Sequence, residues 1–144
     1  MSEVFDAKSV VIHNDNVTVV KLKSNRDTDI HTSIMMPEIA DGGKCPLVLI
    51  LHGFLGDRNE YGMFHGGAYT SPGLADELQN KGIASVRVDF AGSGDSTESF
   101  EGFTLNNMVS DIEAAYNYVM ENYPAVDAER LVLWLGEFNH SESN

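Results

Sequence analysis

The chain has 144 residues, of which 42% are hydrophobic and 22% charged, a balance typical of one folded domain with an apolar core. Its formal net charge of −13, with no cluster of basic residues, argues against binding to nucleic acid or to an anionic membrane. A single cysteine, Cys45, excludes an internal disulfide, and the absence of a secretion signal or membrane-length apolar run predicts a cytoplasmic protein.

The first third of the chain predicts antiparallel strands. Ser9 to His13 and Val17 to Leu22 flank the turn-forming run Asn14-Asp15-Asn16. A third strand, from about Ile30 to Met36, ends at Pro37. A polar, glycine-bearing surface loop then leads into the next strand.

The middle of the chain begins with a strand that is apolar throughout, Leu47 to Leu51, which predicts burial on both faces of a parallel sheet. A long loop over residues 53–71 follows. Ser71 and Pro72 then predict the start of a helix, as its cap and first residue, and Gly82 predicts its end.

Further strands and helices alternate along the rest of the chain. Ile83 to Val88 predicts a strand, Thr104 caps a helix that runs to about Tyr123, and Leu131 to Leu135 predicts the last strand. This alternation is the signature of βαβ crossovers on a parallel sheet. Without repeats or linkers, residues 1–144 are predicted to form one domain, or part of one.

Two glycine-containing turns follow predicted strands. His52-Gly53 ends the apolar strand, and Asp89 to Ser96 reads D-x-x-G-x-G-x-S. A dinucleotide-binding turn would need a third glycine at Thr97 and an acidic residue downstream, whereas Asp89 precedes the glycines. The histidines and acids also lack the spacing of metal ligands. Neither a cofactor nor a metal is therefore expected.

Taken together, these turns resemble those of the α/β-hydrolases, most closely the feruloyl/cinnamoyl esterase branch. Residues 74–90 are similar to the family's helix and strand between these turns, and residues 100–119 are similar to the helix that follows the second turn. The resemblance extends over about residues 28–135. It implies a truncated α/β-hydrolase fold, with a mostly parallel sheet, antiparallel amino-terminal strands and flanking helices.

The resemblance also implies roles for particular residues. The backbone N–H of Phe54 would form half of an oxyanion hole, on a loop that starts with His52 and Gly53. The turn containing Asp89, Gly92 and Gly94 would be structural. The implied reaction is the hydrolysis of small-molecule carboxylic esters through a serine acyl-enzyme.

The sequence departs from the family after the last strand, where the family places G-x-S-x-G. Here residues 139–143 read Asn-His-Ser-Glu-Ser, so that Ser141 is a candidate nucleophile but Asn139 and Ser143 replace the glycines. The acid and histidine that should follow the serine have no counterpart. We therefore expect residues 136–144 to be a non-native or disordered tail, and the chain to be inactive alone.

Three hypotheses follow. The first is an amino-terminal fragment of a feruloyl-esterase-like hydrolase. The second is a non-enzymatic interaction module that pairs through an open sheet edge at Leu131–Leu135, which also predicts a homo-oligomer because an apolar edge strand is a template for association. The third is that the intact gene product is an active esterase and that this chain is an artefact of sequencing or cloning. Coding sequence beyond Asn144 would distinguish the third from the others.

Overall fold

A computed structural model describes residues 4–5, 10–13, 17–59, 63–65, 68–71 and 73–135, with side chains for 17–59 and 73–135. Within these residues, strands precede, separate and follow two α-helices, in the order β1 (Val4–Phe5), β2 (Val10–His13), β3 (Thr18–Lys23), β4 (Asp29–Met35), β5 (Cys45–Leu51), β6 (Met63–His65), β7 (Ala68–Ser71), α1 (Leu74–Asn80), β8 (Ala84–Val88), α2 (Leu105–Asn122) and β9 (Val126–Leu135). A short 3-10 helix, Phe100–Gly102, precedes α2.

Seven of the described strands form one sheet in the order β1-β2-β3-β4-β8-β5-β9, and β6 pairs with β7 as a separate hairpin. The α/β architecture is confirmed. The antiparallel amino-terminal strands and the flanking helices are as expected, and the described sheet is mixed rather than mostly parallel. Strands β1 to β4 and β8 pair antiparallel in succession, and parallel pairing is confined to β8, β5 and β9. The reason is that only β5, β8 and β9 are linked through helices.

The central strand β5 is apolar throughout because it is covered on both faces. Its alternate residues Leu47, Leu49 and Leu51 belong to a buried cluster that includes Ala115 of α2. Its intervening residues pack on the other side, in a cluster that includes Ala75 of α1. Because strand side chains alternate between faces, a helix on each side requires this continuous apolar run.

The helix boundaries were predicted with mixed success. Thr104 caps α2 as expected, since its side chain accepts a backbone N–H from the first turn. Gly82 follows α1 with a φ of 82°, also as expected. The predicted cap at Ser71 is wrong, because Ser71 closes the β6–β7 hairpin and Gly73 occupies the cap position instead. Pro72 lies outside the described residues.

The last strand, β9, ends the described sheet beside β5. Its residues Leu131 to Leu135 are 39–64% exposed, although they are all apolar. Leu131, Leu133 and Leu135 lie in register with the β5 residues that face α2, and the two residues between them lie on the α1 side. The strand lies at the edge of the described sheet, as the sequence predicted, and it exposes apolar side chains on both faces.

A charged cluster joins the β3–β4 turn to α2. Arg26 donates two hydrogen bonds to Glu98, of 3.0 and 2.8 Å, and two to Asp111, of 3.0 and 3.2 Å. Burial raises the pKa of Asp111, whereas the hydrogen bond from Arg26 lowers the pKa of Glu98 below its usual value. The Arg26 guanidinium thus connects the β3–β4 turn to the segment before the 3-10 helix and to α2.

Replacing Arg26 by methionine should lower the free energy of unfolding by about 3 kcal/mol, because it leaves the Asp111 carboxylate buried without its cation. Urea unfolding followed by circular dichroism measures this loss. Adding Asp111→Asn should restore part of it. The control is Lys23→Met, which breaks an exposed pair with Asp29 and should cost at most about 1 kcal/mol. Equal losses from the two methionine variants would contradict this account.

Candidate active site

The candidate site lies where the parallel strands β5 and β8 end. Two loops leave the sheet there, residues 52–59 after β5 and residues 89–104 after β8. In open α/β sheets, ligands bind outside the carboxyl ends of the strands, at this kind of edge. Every predicted site residue except Ser141 falls in one of these loops, whereas Ser141 lies outside the described residues.

His52 is buried between the two loops, with 1% of its surface exposed. Its Nδ1 lies 2.8 Å from the carbonyl oxygen of Gly53, and its Nε2 lies 3.1 Å from the backbone nitrogen of Phe90. The ring also packs against that of Phe90, with centroids 4.9 Å apart. Both ring nitrogens are therefore occupied by the backbone, so His52 is not available as a general base.

Phe54 lies in a tight turn from Gly53 to Gly56, closed by a 3.0 Å hydrogen bond from the Gly56 N–H to the Gly53 carbonyl. Leu55, in the third position of this turn, has a φ of 69°, in the left-handed region that usually favours glycine. Within the described residues, the Phe54 N–H is hydrogen-bonded to no acceptor. An oxyanion donor needs a fixed N–H of this kind.

The Phe54 side chain is 52% exposed and belongs to an aromatic cluster. Its ring meets those of Phe100 and Phe103 edge-on, with centroids 5.6 and 6.2 Å apart. Phe100 and Phe103 stack on each other at 5.1 Å, and Phe100 is also exposed. The turn that holds Phe54 therefore forms part of a solvent-exposed aromatic surface.

Asp89 ties the two loops together. Its carboxylate accepts hydrogen bonds from the backbone N–H of Arg58 at 2.7 Å, from the Arg58 guanidinium, and from the backbone N–H of Asp95 at 2.9 Å. Gly92 and Gly94 both have positive φ, and a Cβ on Gly94 would overlap the Asp89 carboxylate. A structural role for this turn is consistent with these contacts and stays a prediction.

Sequence reasoning missed two buried arginines beside this turn. Arg58 donates from Nε to the hydroxyl of Ser33 at 2.9 Å, and Arg87 donates to the side-chain oxygen of Asn59 at 3.0 Å. Loss of hydration on burial, reinforced by the positive charge of Arg58, lowers the pKa of Arg87 to about 10. One signal was present, since a lone arginine interrupts the apolar strand over residues 83–88.

Of the other histidines, the structure describes the side chain of His31 alone. Burial and the positive charge of Arg58 lower the pKa of His31, which lies on β4. The side chains of His13 and His65 lie outside the described ones. In the part of the chain that the structure describes, no group of three or more His, Cys, Asp or Glu side chains is placed to hold a metal ion. No described helix is long and apolar enough to cross a bilayer.

Comparison with known proteins gives structural matches only. No protein-family model and no curated protein matches the sequence. An acetyl xylan esterase from Paenibacillus sp. R4 superposes with a TM-score of 0.66 at 16% identity, over 90% of this chain and 45% of that one. A Butyrivibrio proteoclasticus protein solved with ferulic acid gives 0.60 at 23% identity, over 81% and 42%.

An esterase from Pyrococcus furiosus likewise gives a TM-score of 0.60 at 17% identity, over 86% of this chain and 44% of that one. The chain thus spans less than half the length of the solved proteins it matches here. At these identities the likeness establishes the fold.

A methyl group at Gly92 should cost more stability than one at Gly82, although both glycines have positive φ. At Gly82 the Cβ meets nothing within 4 Å, so Gly82→Ala should cost only about 1 kcal/mol of backbone strain. At Gly92 the Cβ overlaps the backbone of Phe100, and Gly92→Ala should cost roughly 2 kcal/mol more. Urea unfolding of both variants measures the difference, and equal values would exclude this tight packing.

Proposed function

We propose that this chain, whose fold is the amino-terminal part of an α/β-hydrolase, is part of a carboxylic ester hydrolase in which Phe54 stabilises the oxyanion. The observation that carries this proposal is the turn from Gly53 to Gly56, which presents the Phe54 N–H at the carboxyl end of β5. One such donor is worth roughly 3 kcal/mol of transition-state stabilisation in acyl transfer.

The substrates we propose are esters of aromatic acids, as in the feruloyl esterases. The exposed rings of Phe54 and Phe100 lie beside the proposed oxyanion donor and offer an edge and a face to a planar acyl group. The bound ferulic acid in one structural neighbour supports this choice.

A net charge of −13 and a single buried thiol, Cys45, fit a cytosolic enzyme acting on small molecules rather than on nucleic acid.

We propose further that the 144-residue chain is inactive by itself. His52 is held by the backbone through both ring nitrogens, and Ser141 is the one candidate nucleophile. Removing members of a catalytic triad lowers kcat by about 10⁴–10⁶ even when the oxyanion hole remains.

The experiment compares this chain with versions extended by the coding sequence that follows codon 144, in each reading frame. The 144-residue chain should hydrolyse p-nitrophenyl acetate no faster than buffer containing free imidazole, and an extended version should hydrolyse both this ester and methyl ferulate. In the active version, Phe54→Pro should lower kcat by about 100-fold because proline has no N–H. Phe54→Ala keeps that N–H and should lower kcat much less.

Equal losses from Phe54→Pro and Phe54→Ala would refute the oxyanion role. Rapid turnover by the 144-residue chain that disappears in Ser141→Ala would refute its inactivity.

The exposed strand β9 favours a second candidate function, an interaction module whose partner is a second copy of the chain. Antiparallel pairing of two β9 strands centred on Leu133 would place Leu131 opposite Leu135 and Val132 opposite Trp134. The run of residues 131–135 is nearly the same when read in either direction. Apolar side chains of the two copies would therefore lie opposite each other on both faces of the joined sheet.

The energetics of this pairing are favourable. Covering about 600 Å² of apolar surface is worth about 15 kcal/mol before association costs that are of the order of 4–15 kcal/mol. The net charge of −13 opposes association, but residues 131–135 carry no charge and salt screens charges more than about 8 Å apart.

Light scattering at physiological salt should therefore find a dimer for the native chain and a monomer for Leu133→Lys. The control is Leu105→Lys, which adds the same charge at an exposed leucine on α2 and should leave the dimer intact. A native chain that is monomeric would refute self-association, and a dimer that survives Leu133→Lys would place the interface elsewhere.

A further inference from the structure

We infer that His52 is a positioning residue: its imidazole fixes the direction of the Phe54 N–H by holding the carbonyl of the same peptide unit. This inference rests on the proposed role of Phe54 as an oxyanion donor. It assigns to His52 a task beyond filling space in the core, and it follows from two hydrogen bonds and the planarity of one peptide.

The hydrogen bonds of His52 determine its tautomer. A backbone N–H can only donate, so the Nε2 that lies 3.1 Å from the Phe90 nitrogen must be an unprotonated acceptor. In the neutral ring the proton is then on Nδ1, which donates to the Gly53 carbonyl oxygen at 2.8 Å. Both bonds exist together only in this tautomer.

Holding the Gly53 carbonyl also sets the N–H that follows it. In a trans peptide the C=O and the N–H lie in one plane and point in opposite directions, and the described residues contain no cis peptide. The Gly53 oxygen accepts from both His52 and the Gly56 N–H. The Phe54 N–H must therefore point away from the imidazole.

The second bond of His52 links this peptide to the neighbouring loop. By accepting from Phe90, the first residue after Asp89, the ring connects the Gly53 turn to the segment that carries Phe100 and Phe103. The aromatic contacts of Phe54 run to the same segment. The left-handed backbone of Leu55 would relax toward ordinary conformations if the peptide were released.

Two substitutions separate the two bonds. In His52→Asn the side-chain amide nitrogen falls near the position of Nδ1 and can still donate to Gly53, whereas the contact with Phe90 is lost. In His52→Gln the longer side chain places its amide near Nε2 and can still accept from Phe90, whereas the contact with Gly53 is lost. Both variants remove the ring, and His52→Gln removes less volume from the core than His52→Asn, so a cavity effect would act in the opposite order from the one expected.

The experiment is nuclear magnetic resonance of the full, isotope-labelled chain, with two readouts. Nitrogen chemical shifts of the His52 ring report its tautomer in the native chain, without any substitution. Residual dipolar couplings report the direction of the Phe54 N–H relative to amides of β5 and α2. We expect the Nδ1–H tautomer. We also expect a Phe54 coupling that fits the same molecular alignment as the amides of β5 and α2.

The variants should then differ from each other. His52→Asn should keep the Phe54 coupling, and His52→Gln should lose it, while the couplings within α2 stay unchanged in both. A proton on Nε2, or a Phe54 coupling that persists in His52→Gln, would overturn the inference. These measurements need no activity, so a failed oxyanion role in the extended enzyme would be distinguishable from a failed positioning role.

Discussion

The candidate site depends on the buried carboxylate of Asp89. It accepts two hydrogen bonds from Arg58 and one from the backbone of Asp95, so it joins the loop after β5 to the turn after β8. Loops with few buried apolar contacts are normally the least stable parts of a fold. Here hydrogen bonds to a carboxylate, which are stronger than those between neutral groups, add to the packing of Phe90 against His52. The relative position of His52 and Phe90 follows from this connection.

Two arginines surround this single carboxylate. Arg58 pairs with Asp89, while Arg87 donates to the Arg58 carbonyl and to Asn59 instead of to an acid. Burying a cation without a paired anion is costly, and the lowered pKa of Arg87 is the sign of that cost. Arg87 in return anchors residues 58–59 to strand β8, while Asp89 holds Arg58 through its backbone and its side chain.

The sequence predicted those structural elements whose signals lie within a few residues of one another. The apolar run of β5, the cap at Thr104 and the glycine after α1 each depend on residues a few positions apart. The misplaced cap at Ser71 shows the limit, because the strands of the β6–β7 hairpin that displaces it, Met-Phe-His and Ala-Tyr-Thr-Ser, are too short to show an alternating pattern. Similarly, Arg58 and Asp89 are separated by 31 residues, and only the parallel pairing of β5 and β8 brings their loops together.

The sheet register indicates how a complete hydrolase site would be divided between the parts of the chain. Leu51 pairs with Leu135, so β5 and β9 end side by side, about 4.8 Å apart as neighbouring strands are. Leu135, the last described residue, therefore lies beside the end of β5, from which His52 and the Gly53 turn follow. Residues 52–59 and 89–103, which include the proposed oxyanion donor, are held together by contacts between the loops after β5 and β8. In the proposed hydrolase, a nucleophile supplied after β9 would meet a donor whose direction is already set, and such preorganisation is what makes an oxyanion hole effective.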